Sequence, residues 1–436
     1  MQKILKNNRG SITLFVVLSV LFFLVIVTSV AVSLRNKESA VDAQYERVKA
    51  AYEKDVGNEK ALYEEKAQYG TVLLSGKELN AKMKQFAGNS AATYETEDTN
   101  ISAIKRSETL PDKYRTPELK VSTDYSAVPV YMWFDNGTIY FYSSIEKIKF
   151  NKDSSYMFNN IKAATTIEIA DFDTSSCEDM SYLFHNCLAL TELDVSTFNT
   201  ELVTNMSNMF SGDDNNGYAM NLTKIDGLTS FNTKNVIDMS SMFRMDSNIN
   251  SLNVSSFNTS NVKDMSFIFG GSWPNARCYM NLREINGLDN FNTSNVETMY
   301  GMFYLCHNLT TINIEGFDTS KVNNMREMFV CCNRVTELNI SNFNTSNVTT
   351  MWRMFWNCEK LENLDLSSFD MRSVTNCTEI LKYMNNLIEL KTPKIYPSDT
   401  SLRIILPKTM YDYGENEYTQ LTNTSPTKTE LRSTKF

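Results

Sequence analysis

Apolar positions recur along most of this chain at fixed offsets. The triplet Phe-Asn/Asp-Thr returns at Phe172, Phe198, Phe231, Phe257, Phe291, Phe317 and Phe343, and as Phe-Asp-Met at Phe369, with intervals of 26, 33, 26, 34, 26, 26 and 26 residues. Eight positions beyond each Phe stands Met180, Met206, Met239, Met265, Met299, Met325 or Met351, with Cys377 in the last copy. Twelve beyond stands a second aromatic, Phe184 through Phe355, replaced at the end by Leu381. A period of this length is the mark of stacked modules. Val262, Met265 and Phe269, at i, i+3 and i+7, predict a short helix in each unit, capped by Thr259 or Ser260. Leu193 and Val195 alternate with Glu192, Asp194 and Ser196, the pattern of a half-buried strand. Each unit is therefore expected to be a helical turn followed by a strand. No unit buries its apolar side alone, so neighbours must stack.

The two longer intervals come from insertions at one corner, "SGDDNNGYAM" and "GGSWPNARCYM", which leave the core columns in register, plus one extra residue before the next strand. "SSYMFNN" at 154–160 offers a partial first copy behind the strands of "GTIYFYSSIEKIKF", while "LIELKTPKI" and "LRIILPKTM" read as closing strands. The chain divides into a leader or cytoplasmic segment (1–11), an apolar span (12–34), a helical stalk (35–70) and a membrane-proximal region (71–127). An amino-terminal cap with the first partial repeat (128–171), the repeats (172–381) and a closing cap with tail (382–436) complete it. In region 71–127, which shows no clear period, Leu79, Met83 and Phe86 suggest one short helix.

The repeat "FNTSNVTTMWRMFWNCEKLENLDLSSFD" and its sister copies resemble the 26-residue repeat of BspA-like bacterial surface proteins, relatives of leucine-rich-repeat proteins, over roughly residues 146–390. The resemblance implies an α/β fold: a right-handed leucine-rich-repeat-type solenoid with a parallel β-ladder, here preceded by a transmembrane helix and helical stalk. It further implies display at the cell surface for adhesion or for binding an extracellular protein or glycan, and it brings no catalytic residues.

The stretch Ile12 to Leu34 is 23 residues without a charge or proline, long enough to cross a hydrocarbon core of about 30 Å. Lys3, Lys6 and Arg9 before it favour an inside amino terminus, so the expected location is a single-pass cell-membrane protein with its repeats outside. Ser29-Val30-Ala31 leaves a secretory signal open. The basic residues, Gly10 and "SITLFVVLSVLFFLVIV" resemble a type IV pilin-like leader, which implies cleavage between Gly10 and Ser11 and makes a pilin-like subunit the alternative role. The glutamate pilins carry five residues beyond the cut is Phe15 here.

A net charge of -9 argues against nucleic acid, which requires a basic face. Only 2 His are available for metal or acid–base work, every prominent motif is repeated, and no enzyme, cofactor or metal is expected; an envelope hydrolase is the remote alternative. Candidate binding residues fall in two groups. Glu168, Asp194, Asp226, Asn253, Asn286, Asn313, Asn339 and Asp365, with Glu192 beside them, should form a polar column on the strand face; Tyr218, Trp273 and Tyr279 sit in the inserted loops. Cys187, Cys306, Cys332 and Cys358 share one repeat position and should be a buried thiol column, the Met columns should pack in the core, and His185 and His307 should lie at the surface.

Overall fold

The computed structural model describes residues 70–126, 128–212, 218–272 and 280–435. Helix α1 (Gly76–Phe86) begins with a capping box between Ser75 and Glu78 and buries Leu79 and Met83. Strand β1 (Ala103–Arg106) lies parallel to both β3 (Thr138–Tyr142) and β5 (Thr166–Ile167), and β2 (Tyr131–Asp135) runs antiparallel to β3. Asn136 and Gly137, both at positive φ, make the two-residue β2–β3 turn. The region before residue 127 thus supplies the inner strand of a sheet it shares with the cap. Strands β4 (Ile148–Lys149) and β6 (Phe172–Asp173) then pair in parallel where the repeats begin.

Short parallel strands follow: β7 (Glu192–Asp194) with β8 (Lys224–Asp226), β9 (Ser251–Asn253) with β10 (Glu284–Asn286), and β11 (Asn363–Asp365) with β12 (Glu389–Lys391). At a second line of contact, parallel bridges run from Asp153 to Asp179 and Asn205, on through Asp238, Asp264, Thr298 and Asn324, to Thr350 and Asn376. Of the closing strands, β12 and β13 (Ile404–Tyr411) fall in the expected segments, whereas β14 (Glu417–Leu421) and β15 (Glu430–Arg432), both antiparallel to β13, come from the tail, where no strand was expected; β15 also covers β12.

The α/β leucine-rich-repeat solenoid expected from the sequence is overturned. The described residues are mostly strand, bridge and turn, with α1 as their one α-helix, and it lies outside the repeats. The segment expected to be helical in each unit is a run of turns. In the unit at Met180 the Leu183 N–H donates to the Met180 carbonyl and the Cys187 N–H to that of Phe184, both i→i+3. Tyr182 and Asn186, the third residues of those turns, have φ of +56° and +59°. The first position recurs at Asn208, Ser241, Phe267, Gly301, Glu327 and Arg353, and the second at Met245, Leu305, Cys331, Asn357 and Tyr383. One or two left-handed residues per unit forbid a helix, the units at Met206 and Met265 keeping only the first, and they turn alternate N–H groups along the stack. Met180, Tyr182, Phe184 and Asn186 donate to the carbonyls of Asn205, Ser207, Met209 and Ser211 in the next unit, at 2.8–3.0 Å. The intra-helical hydrogen bonds are exchanged for bonds between units.

The expected helix cap at Thr259 and Ser260 is likewise replaced. Thr259 Oγ1 donates to the Asn292 carbonyl of the next unit at 3.0 Å, and Ser260 N–H and hydroxyl both donate to Asn258 Oδ1. The same arrangement explains the whole motif. Its Phe is buried, its Asn or Asp closes a local turn onto the residue two positions on, and its Thr hydroxyl clasps the following unit. Thr319, for instance, donates to the Asn344 carbonyl at 3.0 Å and accepts the Asn344 N–H at 2.8 Å. Inside, Phe158, Phe184, Phe210, Phe243, Phe269, Phe303, Phe329 and Phe355 form one file of neighbouring rings with centroids 5.4–6.1 Å apart. Each buried ring contributes roughly 1.5–3 kcal/mol. The Met columns are buried in the same core.

The extra residue expected before the strand in the two longer units follows it instead, ending β8 and β10 at Gly227 and Gly287, with φ of +87° and +90°. A Cβ on Gly227 would lie 2.2 Å from the Ser196 backbone nitrogen. Gly227→Ala is therefore expected to lower stability by about 1–3 kcal/mol through backbone strain alone, with the clash adding to it. An unchanged urea midpoint would contradict this. Among the described residues no helix is long and apolar enough to cross a membrane. Gly10, Ser11, the span 12–34, the stalk apart from Gly70, and Trp273 and Tyr279 lie outside the described residues.

Candidate functional site

The polar positions read on the strand face are exposed except for half-buried Asp365, and strand pairing sets Asp194 opposite Asp226 and Asn253 opposite Asn286. Their side chains are engaged by the fold. Asp194, Asn253, Asn339 and Asp365 each accept the N–H of the serine two residues later, at 2.8–3.3 Å, and so end the strand with a turn. Hydrogen bonds from Ser196 hold the Asp194 carboxyl below its usual range. Glu168 accepts the Arg106 N–H at 2.9 Å, Asp226 pairs with Lys224 at 2.6 Å, and Asn286 donates to Glu284. Glu192 and Asn313 are exposed on the same face. Two open troughs of about 360 and 410 Å³ lie along it, one beside Asn339 and Asp365, the other beside Glu168, Glu192 and Asp194.

The four repeated cysteines form the expected column. Their thiols donate to the carbonyls of Phe158, Phe269, Phe303 and Phe329 in the preceding unit at 3.0–3.3 Å. Burial pushes Cys187 up to about 12 and likewise raises the other three, so these are inert core thiols. Both histidines are half-buried, a correction to the surface placement: His185 bonds Ser211 Oγ at 2.8 Å, and burial lowers the His307 pKa. Among the described residues, no three His, Cys, Asp or Glu side chains gather into a metal-binding group.

The most concentrated chemistry is on the face made by the turns. There a continuous chain of ring and cation contacts crosses the later units. Arg244 lies 4.0 Å over the Phe267 ring, and Phe267 meets Tyr300 edge-on at 4.4 Å. Arg326 sits between Tyr300 and Trp352, at 5.2 and 4.2 Å. Arg353 covers Trp352 at 4.2 Å and approaches Trp356 at 5.8 Å; Trp356 meets Tyr383 edge-on, and Lys382 lies over Tyr383. The left-handed turns produce this belt, because residues one, two, five and six positions past the core Met, or past Cys377 in the last unit, share one surface. Beneath it, burial and the nearby Glu327 carboxylate raise the Tyr300 pKa. Lys382 and Arg353 bond Glu379 and depress its carboxyl.

The belt runs into a cleft of about 690 Å³ between the last unit and the closing cap, lined by Glu379, Lys382, Tyr383, Leu402, Arg403 and Ile405 among others. Tyr383 and Ile405 are among the most exposed large apolar side chains described. At the other end, Lys77 lies over Tyr94 and Tyr156, and Tyr156 stacks on Tyr182 at 4.4 Å. Tyr218 is exposed, with Lys162 4.8 Å over its ring.

Sequence reasoning missed the belt, although a signal for it existed. One position past the core Met, the units carry Ser181, Ser207, Ser240 and Ser266, then Tyr300, Arg326 and Trp352. A departure confined to the later copies is what a consensus averages away.

The family described as "Mycoplasma protein of unknown function, DUF285" matches residues 152–226, 214–274 and 275–390. No curated protein and no solved structure matches the chain.

Proposed function

We propose, from the premise that this chain belongs to the DUF285 family just described, that it is a membrane-attached surface protein whose stacked repeats form a binding module without catalytic activity. The observation that carries this reading is the belt from Arg244 to Tyr383. Trp, Tyr and Arg dominate the energetics of recognition surfaces, and here they are fixed against one another before any ligand arrives, which lowers the ordering cost of binding. The polar column favours the reading less, because its oxygens already close turns. The uncharged run from Ile12 to Leu34 supports membrane attachment, and the likeness to BspA-like repeats supports display outside the cell.

The test is an array of glycans and extracellular-matrix proteins probed with the full-length chain in detergent. Trp352→Ala is expected to weaken the captured ligand roughly tenfold or more, while Asp194→Ala leaves it unchanged. The reverse pattern, or no capture above background, overturns the reading.

A further inference from the structure

We propose, resting on the binding role above, that the belt takes a linear anionic polysaccharide along its length and that the adjoining cleft seats the end of that polymer. Three observations lead there. The first is charge. In a chain of net charge -9, Arg244, Arg326, Arg353 and Lys382 gather on one face against Glu327 and Glu379. Glu327 is buried and pairs with Arg326 at 3.4 Å, and both oxygens of Glu379 are held by Arg353 and Lys382, so the four cations outnumber the two carboxylates they meet. The exposed character of the face is cationic within an acidic protein, so it attracts anions while the remaining surface repels them.

The second is the alternation of rings and guanidinium groups along a line. A guanidinium stacked on a ring keeps its N–H edge turned outward for a carboxylate or sulfate, while half-buried aromatic edges and faces suit the C–H face of a pyranose. A ligand that satisfies both repeats a ring and an anion along a chain. The third concerns the backbone. The N–H groups of the turns are spent on carbonyls of the next unit, as in Tyr300 and Arg326, whose neighbours Gly301 and Glu327 donate to Arg326 and Trp352. Among the described residues of this face no strand edge is offered for an extended peptide to join, so recognition falls to side chains. The cleft at the end of the belt, about 690 Å³ with Lys382, Arg403 and Tyr383 in its walls, lies within the range that buries a small ligand.

The full-length chain in detergent is titrated with polygalacturonate, neutral dextran, cationic chitosan oligomers and poly-glutamate, at low and high salt, following tryptophan fluorescence. Polygalacturonate is expected to bind, to weaken as salt rises, and to weaken roughly tenfold or more in Arg326→Gln/Arg353→Gln, with Arg326→Lys/Arg353→Lys in between. Galacturonate oligomers should bind more tightly as they lengthen, then level off once they span the belt. Urea midpoints of the variants report whether each remains folded, and Tyr383→Ala offers a milder change at the exposed end of the belt. Equal binding of dextran removes the anion requirement, and preference for poly-glutamate assigns an acidic peptide instead; either overturns the inference while leaving the binding face standing. If no probe binds yet array ligands still depend on Trp352, the ligand class alone is wrong. If nothing depends on the belt, both readings fall.

Discussion

Phe303→Ala is expected to destabilise the repeat stack by about 3–5 kcal/mol. The Phe303 ring is fully buried between Phe269, at 5.9 Å and 18°, and Phe329, at 5.7 Å and 5°. Truncation opens a cavity in the middle of the file and removes two ring pairs, each worth about 0.5–1.5 kcal/mol beyond its area. In a stack whose units touch only their neighbours, such a loss falls on the two interfaces that flank the Phe303 unit. Urea unfolding should then separate into two transitions, with Trp133 reporting the amino-terminal side and Trp352 and Trp356 the other. A single transition at the wild-type midpoint would show that the file does not bear on cohesion between units.

The second large effect has the opposite sign. Asp246 occupies the repeat position that elsewhere holds Cys187, Cys306, Cys332 and Cys358. It is fully buried, and neither carboxylate oxygen finds a hydrogen-bond partner among the described residues. Burial raises its pKa well above the usual 3.8, so the fold holds it protonated where the unfolded chain would ionise it. The unfolded state therefore binds fewer protons through this group. Its contribution to stability is most favourable below the unfolded pKa and is lost as pH rises through the carboxylate range toward the folded value. Asp246→Cys should supply the donor that its sister thiols use and remove the buried carboxyl, a gain of about 1–3 kcal/mol at neutral pH. The gain should shrink in acid. Paired urea titrations at pH 4 and pH 7 check it, and a variant less stable than wild type at both would refute the assignment.

These two predictions rest on features of very different visibility. The file of rings and the thiol column were legible because equal spacing alone places like residues over one another. The helix was misread because Val262, Met265 and Phe269 satisfy the apolar spacing of a helix and equally that of successive three-residue turns. What separates the two is the left-handed backbone at Tyr182, Phe267 and Leu305, bulky residues that seldom adopt it and so give no local warning. Strand pairing sets Asp194 opposite Asp226 and Asn253 opposite Asn286, yet the serine two places after Asp194, Asn253 and Asp365 already points to turn closure. The belt was invisible to a search for sameness, since Trp352 and Arg326 are what the consensus lacks.

The threonine clasp gives these units another property. Thr293, Thr319 and Thr345 each grip a residue 25 positions ahead through the same atoms. A seam made at Phe317 is therefore equivalent to one made at Phe343, and loss or gain of a whole module would heal into an unbroken interior. Tandem segments that share one framework invite unequal exchange during copying of the gene. Such exchange would lengthen or shorten the ring-and-cation track in whole steps, giving descendants a heritable dial for reach while the interior chemistry stays constant.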